Sequence, residues 1–402
     1  MKFHRVLAEH TVTALENVFE GGYQADRVLE RLFKKEKKLG ARDRRFVAES
    51  TYELIRHWRK FIYLAGLEEK ETLSRGDVVR LIGVWQLLKG ETVPPWPEFK
   101  GLDQRLMLEN EKGIRSLAVL ESIPDWLNEF GSKELGEAWP DALFQLNKTA
   151  PVVLRANRLK TTREKLQRRL EDARVESFPA PDTEDGLILR YRSNVFTLDA
   201  FKEGLFEIQD GASQQIAPML DPKPGERIID ACAGAGGKTL HMAALMKNKG
   251  KIIAMDVTDK KLDELKRRCR RAGVDVVETK LIDSMKVVKR LEGSADAVLL
   301  DVPCTGMGVL RRNPDKKWKL TLEEVERLKI LQAQILNDYS RMVKSHGRLV
   351  YATCSILPSE NELQVEAFLA ANPNWKLERE RRFMPGQEGY DGFYAALLIN
   401  KN

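Results

Sequence analysis

The sequence predicts an α/β chain with a C-terminal domain on a mostly parallel sheet, a small α/β subdomain before it and an all-helical N-terminal domain. Three observations predict this. From about residue 208, short apolar runs alternate with helical stretches. Over 1–122, apolar side chains recur three and four apart, the spacing of one helix face. Between Pro124 and Pro151 the texture changes from helical to strand-and-turn. At 402 residues the chain is also too long for one ordinary domain. The predicted division is 1–122 helical, 123–207 linker and small subdomain, and 208–402 the parallel-sheet domain.

In the first part, "ADRVLERLFKKEKKLG" and "DRRFVAESTYELIRHWRKFIYLAGL" carry the helical spacing, and the prolines of "ETVPPWPEF" interrupt it. The charge run "KKEKKLGARDRR" reads as a solvated helix end and loop rather than a binding patch. In the second part, "PVVLRANRLKTT" reads as strand and turn, "REKLQRRLEDARV" as helix, and "GLILRYR" and "FTLDAFKEGLFEIQD" as strands. The basic residues of 145–207 fit a nucleic-acid groove or an ordinary surface. In the third part, "RIIDACA", "KIIAMDV", "DVVETKLID", "AVLLDVP" and "GRLVYATCS" are the strands, with "KKLDELKRRCRRAG" and "LEEVERLKILQAQILNDYSRMV" among the intervening helices. Ligands bind such sheets at the carboxyl ends of the strands.

Composition narrows the function classes. The net charge of +7 is compatible with a polyanion partner. The four cysteines, Cys232, Cys269, Cys304 and Cys354, include no CxxC pair, so neither a zinc cluster nor any other metal site is expected. "MKFHRVLAEH" lacks an apolar signal region, and no apolar run is long enough to span a bilayer. A cytoplasmic protein with reduced thiols and no membrane partner is expected.

"DACAGAGGKTLH" follows the first strand of the parallel sheet. A phosphate loop ending at Lys238 and Thr239 requires a glycine where Cys232 stands. A dinucleotide loop has two of its glycines but finds Thr239 at the third position. A nucleoside cofactor without phosphates needs less: glycines for close approach, and an acid at the next strand end for the ribose hydroxyls. Asp256 occupies that strand end, and Asp283, one strand further, can meet an adenine. S-adenosylmethionine is such a cofactor.

Cys304 and Cys354 follow the fourth and fifth strands and should share the same crevice. A thiolate adding to carbon 6 of cytosine makes carbon 5 nucleophilic enough to take a methyl group from a sulfonium. The carboxyl of Asp301 can hydrogen-bond ring nitrogen 3 of such an adduct, and nearby positive charge, including Lys238, favours the thiolate. A base must then remove the proton at carbon 5, and the residues do not say which group that is.

These motifs resemble a known family. "DACAGAGGKT", "DVPCTGMGVLRRNPDKKW" and "YATCSILPSENE" look like those of the RsmB/NOP2/Sun group of RNA cytosine-5 methyltransferases. The likeness extends upstream through "GLFEIQDGASQQIAPML" and "PVVLRANRLKTT", covering roughly 124–402. The resemblance implies a Rossmann-like class I methyltransferase domain, a small RNA-recognition-like subdomain over 145–207, and S-adenosylmethionine as cofactor. It implies that Cys354 is the nucleophile and that Cys304 helps to release the product. It also implies a cofactor pocket of Cys232, Ala233, Gly234, Ala235, Gly236, Gly237, Lys238, Asp256, Asp283 and Asp301. Where the family usually has Ala-Pro, this chain has Gly234 and Ala235, which loosens the loop. The N-terminal helices, through "LGARDRRFVAESTYELIRHW", resemble the NusB-like RNA-binding domain of bacterial RsmB-type enzymes.

The expected partner is RNA, foremost small-subunit ribosomal RNA or a precursor particle, acted on by a monomer. An RNA contact is expected at "RRNPDKKWK", where Trp318 would face the nucleic acid. A transfer RNA substrate, a non-catalytic ribosome assembly factor, a dinucleotide oxidoreductase and a DNA methyltransferase are the alternatives. The last two leave the cysteine pair unexplained or require comparison of RNA with DNA.

Overall fold

The computed structural model describes residues 3–70 and 72–402. They form two compact units: the chain up to Lys148 with Leu310–Thr321, and Thr149–Val309 with Leu322–Asn402.

The first unit is helical. Its opening helix, Arg5–Phe19, buries Leu7, Ala8, Val12, Leu15 and Val18 along one stripe. It packs on helices Ala41–Arg56 and Arg75–Leu88, and the hydroxyls of Thr11 and Ser50 pair between two of them at 2.8 Å. Ser74 and Asp77 cap the helix at Arg75 reciprocally, satisfying two amides that its first turn cannot. The charge run at 34–45 spans a helix end, a turn and a helix start. Lys34 and Arg45 there pair with Glu30 and Glu49 one helical turn away. Helices also cover Asp125–Leu135 and Trp139–Leu146, within the segment read from sequence as linker.

The basic segment after Cys304 overturns one expectation. Leu310–Thr321 belongs to the helical unit. Trp318 packs into its core, 6.2 Å from Phe19, and its indole N–H donates to the Ile55 carbonyl at 2.8 Å. Lys317 is 2% exposed and donates to the carbonyl of Arg56 at 2.7 Å and to Asn147 Oδ1 at 3.3 Å. Arg56 in turn donates to the Arg311 carbonyl. Trp318 is therefore packing rather than an RNA contact. The charges around it made a docked strap read as a surface loop.

The second unit holds two sheets. In the smaller, β1 (Val153–Ala156), β2 (Ser177–Pro179), β3 (Gly186–Leu189) and β4 (Phe206–Ile208) run antiparallel in the order β2-β3-β1-β4. The helix Arg163–Asp172 buries Leu166 and Leu170 in the same core. The stretch read as one long strand, 196–210, keeps only Phe206–Ile208. Asn194 accepts the Phe196 amide to start a turn, and Asp199–Lys202 is helical.

The larger sheet has the order β10-β11-β9-β8-β5-β6-β7. Its strands are β5 (Arg227–Asp230), β6 (Lys251–Asp256), β7 (Val277–Leu281), β8 (Ala295–Asp301), β9 (Val343–Thr353), β10 (Trp375–Phe383) and β11 (Phe393–Asn400). β5 to β9 are parallel, and β10 and β11 form an antiparallel edge. The chain builds outward from β5 in one direction and then returns to place β8 on its other side. A ligand crevice opens at such a switch point.

Candidate active site

The loop 231–236 leaves β5 at this switch. The Ala231 amide donates to Leu299 and the Ala233 amide to Met255, so neighbouring strands grip its start. The Gly234 amide donates to Asp256 Oδ2 at 3.0 Å, while Oδ1 takes the Thr258 amide at 2.8 Å. Asp256 thus shapes the loop as well as ending its own strand. Gly236 adopts a left-handed φ of +86°, and a Cβ there would lie 2.0 Å from Leu265 Cδ1, so only glycine fits without repacking. Nothing lies within 4 Å of a Cβ built on Gly234 or Gly237, so the loop faces open space there. Ala235 is held through its carbonyl by Arg268 at 2.8 Å.

The small subdomain braces this loop. Arg155 is 3% exposed and donates to the Gly237 carbonyl at 2.8 Å and to the side-chain oxygen of Gln209. Glu207 binds Arg268 and Arg271. This arginine of the 145–207 segment is buried and structural rather than groove-lining.

Beneath the loop, Asp230 is 1% exposed, and burial pushes its carboxyl up to about 7 despite the Thr239 hydroxyl bond at 2.7 Å. Burial, with the surrounding carboxylates Asp230, Asp301 and Asp256, pushes the Cys232 thiol far up as well. Cys232 is a wall of the site, not a nucleophile. Asp283 lies just past β7 at the same edge, exposed, and accepts the hydroxyl of its neighbour Ser284 at 3.0 Å.

Across the crevice, Lys238 Nζ pairs with Asp301 Oδ2 at 2.5 Å. Burial works against the Lys238 ammonium, but Asp301 outweighs it and holds the lysine above its ordinary value. The charge of Cys354 adds to this, so Lys238 in return favours a thiolate on Cys354. Cys304 Sγ and Cys354 Sγ are 3.3 Å apart, in contact but not bonded. The hydrogen bond with Cys354, then burial and the Cys354 charge, push the Cys304 thiol well up. Cys304 is therefore the member of the pair held protonated.

The loops carrying the two thiols interlock. The Gly308 amide donates to the Cys354 carbonyl at 3.0 Å, and the Gly392 amide to Gly308 at 2.8 Å. A Cβ on Gly308 would lie 2.1 Å from the Gly392 carbonyl oxygen. Glu360, Asn361 and Gln332, none of which stood out in the sequence, are each 0% exposed behind these loops. Asp230, Thr239 and Arg155 were equally unmarked.

This geometry has close relatives. Residues 217–399 match the family described as "16S rRNA methyltransferase RsmB/F". The chain is 30% identical, over the whole of both chains, to ribosomal RNA small subunit methyltransferase B of Escherichia coli O6:K15:H31 (strain 536 / UPEC). This chain belongs to the RsmB/F family of 16S rRNA methyltransferases. As a family member it is an S-adenosylmethionine-dependent RNA methyltransferase. Residues 123–196 match the ferredoxin-like domain of RsmF/B-like methyltransferases, a span that holds the helices Asp125–Leu135 and Trp139–Leu146 and strands β1 to β3. The Klebsiella pneumoniae MGH 78578 enzyme of the same name is 31% identical over both full chains. Among solved structures, PH0851 superposes with a TM-score of 0.82 at 28% identity, covering 99% of each chain. A methyltransferase homolog from Pyrococcus horikoshii superposes at 0.63 and 27% identity, covering 71% of this chain and 97% of the other. The expected fold class holds: a mostly parallel methyltransferase sheet, a small α/β subdomain and a helical N-terminal region.

Among the described residues, no helix is long and apolar enough to cross a membrane.

Proposed function

We propose that this RsmB/F-family protein methylates carbon 5 of a cytosine in small-subunit ribosomal RNA, with Cys354 as nucleophile and Cys304 as its proton-bearing partner. The observation that carries the reading is the contact of the two sulfurs at 3.3 Å beside the Lys238–Asp301 pair. The cofactor loop fits a nucleoside of this class: two glycines open onto free space, and Asp256 stands at the next strand end. Cys232 to Lys238, Asp256, Asp283 and Asp301 would hold it. S-adenosylmethionine, when bound, supplies the electrophilic methyl group.

Cys354 attacks carbon 6 as a thiolate, forming a sulfur–carbon bond and pushing electron density to carbon 5. Lys238 stabilises the thiolate beforehand, and Asp301, whose side chain stays 30% exposed, faces the ring nitrogen. After methylation, a base takes the carbon 5 proton, the freed electron pair re-forms the carbon 5–carbon 6 double bond, and the sulfur–carbon bond breaks to return the Cys354 thiolate. Cys304 stabilises that leaving group by donating its S–H across the sulfur contact. The target cytosine must leave any base stack to reach these groups, and unpaired RNA offers it most readily. The NusB-like helical unit and the ferredoxin-like subdomain supply the RNA grip of a cytoplasmic monomer.

The test is transfer of a labelled methyl group to unmodified small-subunit RNA, or to the particle, by wild type, Cys354→Ala and Cys304→Ala. Label should appear in 5-methylcytosine with wild type and be absent with Cys354→Ala. Cys304→Ala should accumulate a covalent RNA adduct on a denaturing gel. An adduct with Cys354→Ala instead would exchange the two roles, and label in another nucleoside would refute the reaction.

A further inference from the structure

The two cysteines come from loops fifty residues apart in sequence, yet their sulfurs touch. Contact between two partly exposed loop tips needs a brace behind it. The brace is a pair of consecutive residues at the start of the helix Glu362–Ala371.

Glu360 is fully buried. Its Oε1 accepts the Thr305 amide at 2.8 Å and Gln332 Nε2 at 2.9 Å, and its Oε2 accepts the Thr305 hydroxyl at 2.5 Å. Gln332 also donates to the Pro303 carbonyl at 2.9 Å. The residues on both sides of Cys304 are thus tied to one carboxylate. Asn361, equally buried, does the same for Cys354. Its Oδ1 accepts the Thr353 hydroxyl at 2.5 Å, and its Nδ2 donates to the Ser355 carbonyl at 3.1 Å. Tyr351 fixes the bridge from below, donating to the Glu360 carbonyl at 2.7 Å.

We infer that Glu360 is a positioning residue: with Asn361 it clamps the two cysteine loops together, and its negative charge keeps Cys304 the protonated member of the pair. This rests on the cysteine roles proposed above. The two oxygens of Glu360 receive three donors and donate to none of them. Its charge then opposes a second thiolate at Cys304, in the direction already set by Cys354 and by burial. A charge behind Cys304 rather than Cys354 breaks the symmetry of two otherwise similar thiols. The roles of the pair are then set before RNA arrives.

Glu360→Gln removes the charge and keeps the shape; its amide oxygen still receives the Thr305 amide, and its NH2 can donate to the Thr305 hydroxyl. Alkylation of Cys304 and Cys354 by iodoacetamide, read by peptide mass spectrometry across about pH 6 to 9, measures each thiolate in the free enzyme. Steady-state methylation of small-subunit RNA runs alongside. In Glu360→Gln, Cys304 alkylation near neutral pH should rise about tenfold, the equivalent of one pKa unit. Methylation should slow in kcat with KM unchanged. Wild-type alkylation profiles at both thiols, or a raised KM with kcat intact, would overturn the inference. If Glu360→Gln does not fold, Thr305→Val removes one hydroxyl donor while leaving the backbone anchor. With the Glu360 charge kept and less neutralised, Cys304 alkylation should stay at or below the wild-type level, and a tenfold rise there overturns the inference equally. The alkylation arm needs no RNA. Failure of the underlying cysteine roles appears separately, as 5-methylcytosine made by Cys354→Ala.

Discussion

Asp230 gives the fold a pH dependence that one substitution should remove. Its carboxyl lies under the cofactor loop, 1% exposed, with Oδ2 receiving the Thr239 hydroxyl and Oδ1 lacking a well-formed hydrogen bond among the described residues. Burial is the largest influence and raises it from 3.8 to about 7. A carboxyl raised in the folded state binds a proton that the unfolded chain has already released. Its contribution is therefore full below the unfolded value and is lost as pH rises through the folded value. Three units at about 1.4 kcal/mol each give at most about 4 kcal/mol lost between pH 4 and pH 7. About two of those units fall above pH 5, so roughly 3 kcal/mol is lost between pH 5 and pH 8. Asp230→Asn keeps an oxygen for Thr239 and does not titrate. Hydrogen exchange of the amides in β5 and in the helix Gly237–Leu245, corrected for the intrinsic pH dependence of exchange, reports the local opening energy. The wild-type value should fall by that amount relative to Asp230→Asn as pH rises. Parallel curves for the two proteins from pH 5 to pH 8 would refute the argument. They would mean that the orphan oxygen is hydrated and Asp230 ionises normally.

Two further substitutions test the packing. Gly236→Ala must hold a left-handed φ and push Leu265 aside, which should cost about 2–4 kcal/mol and abolish cofactor binding. Gly234→Ala, also left-handed but facing open space, should cost only about 1 kcal/mol; equal losses in melting would show that the Leu265 clash is not what matters. Trp318→Ala should destabilise the helical unit by about 2–4 kcal/mol, through loss of its indole bond and its packing on Phe19. A drop in RNA affinity with unchanged melting temperature would restore the surface reading of that residue.

The parallel sheet and its strand-end chemistry were legible because their signals are local. Four of these strands are short apolar runs that end at or just before a candidate residue: Cys232 after β5, Asp256 on β6, Asp301 on β8 and Cys354 after β9. The antiparallel edge was harder. β10, "WKLERERRF", is a sheet edge with most side chains exposed, so it shows almost no apolar pattern. β11, "FYAALLIN", is buried on both faces and shows no alternation. Its length alone does not distinguish a strand from a buried helical turn.

The strap and the clamp failed to announce themselves for a different reason. Lysine and glutamate are almost never fully buried without partners, so "PDKKWK" read as an exposed RNA contact and Glu360 of "PSENE" was not singled out. Lys317 is buried because backbone carbonyls of Arg56 and Glu121, remote in sequence, converge on its ammonium. Burial pushes that ammonium well below its ordinary value, a cost that only a preformed socket offsets. Glu360 is buried because Thr305 and Gln332 supply its donors. In both cases the charged residue is the visible half of the interaction, and its neutral partners carry no signature of their own. The polar network behind Cys304 and Cys354 could therefore be found only after the fold had brought Pro303, Thr305, Gln332 and Thr353 to one place. That network adds to an asymmetry already set by the sulfur contact and by burial.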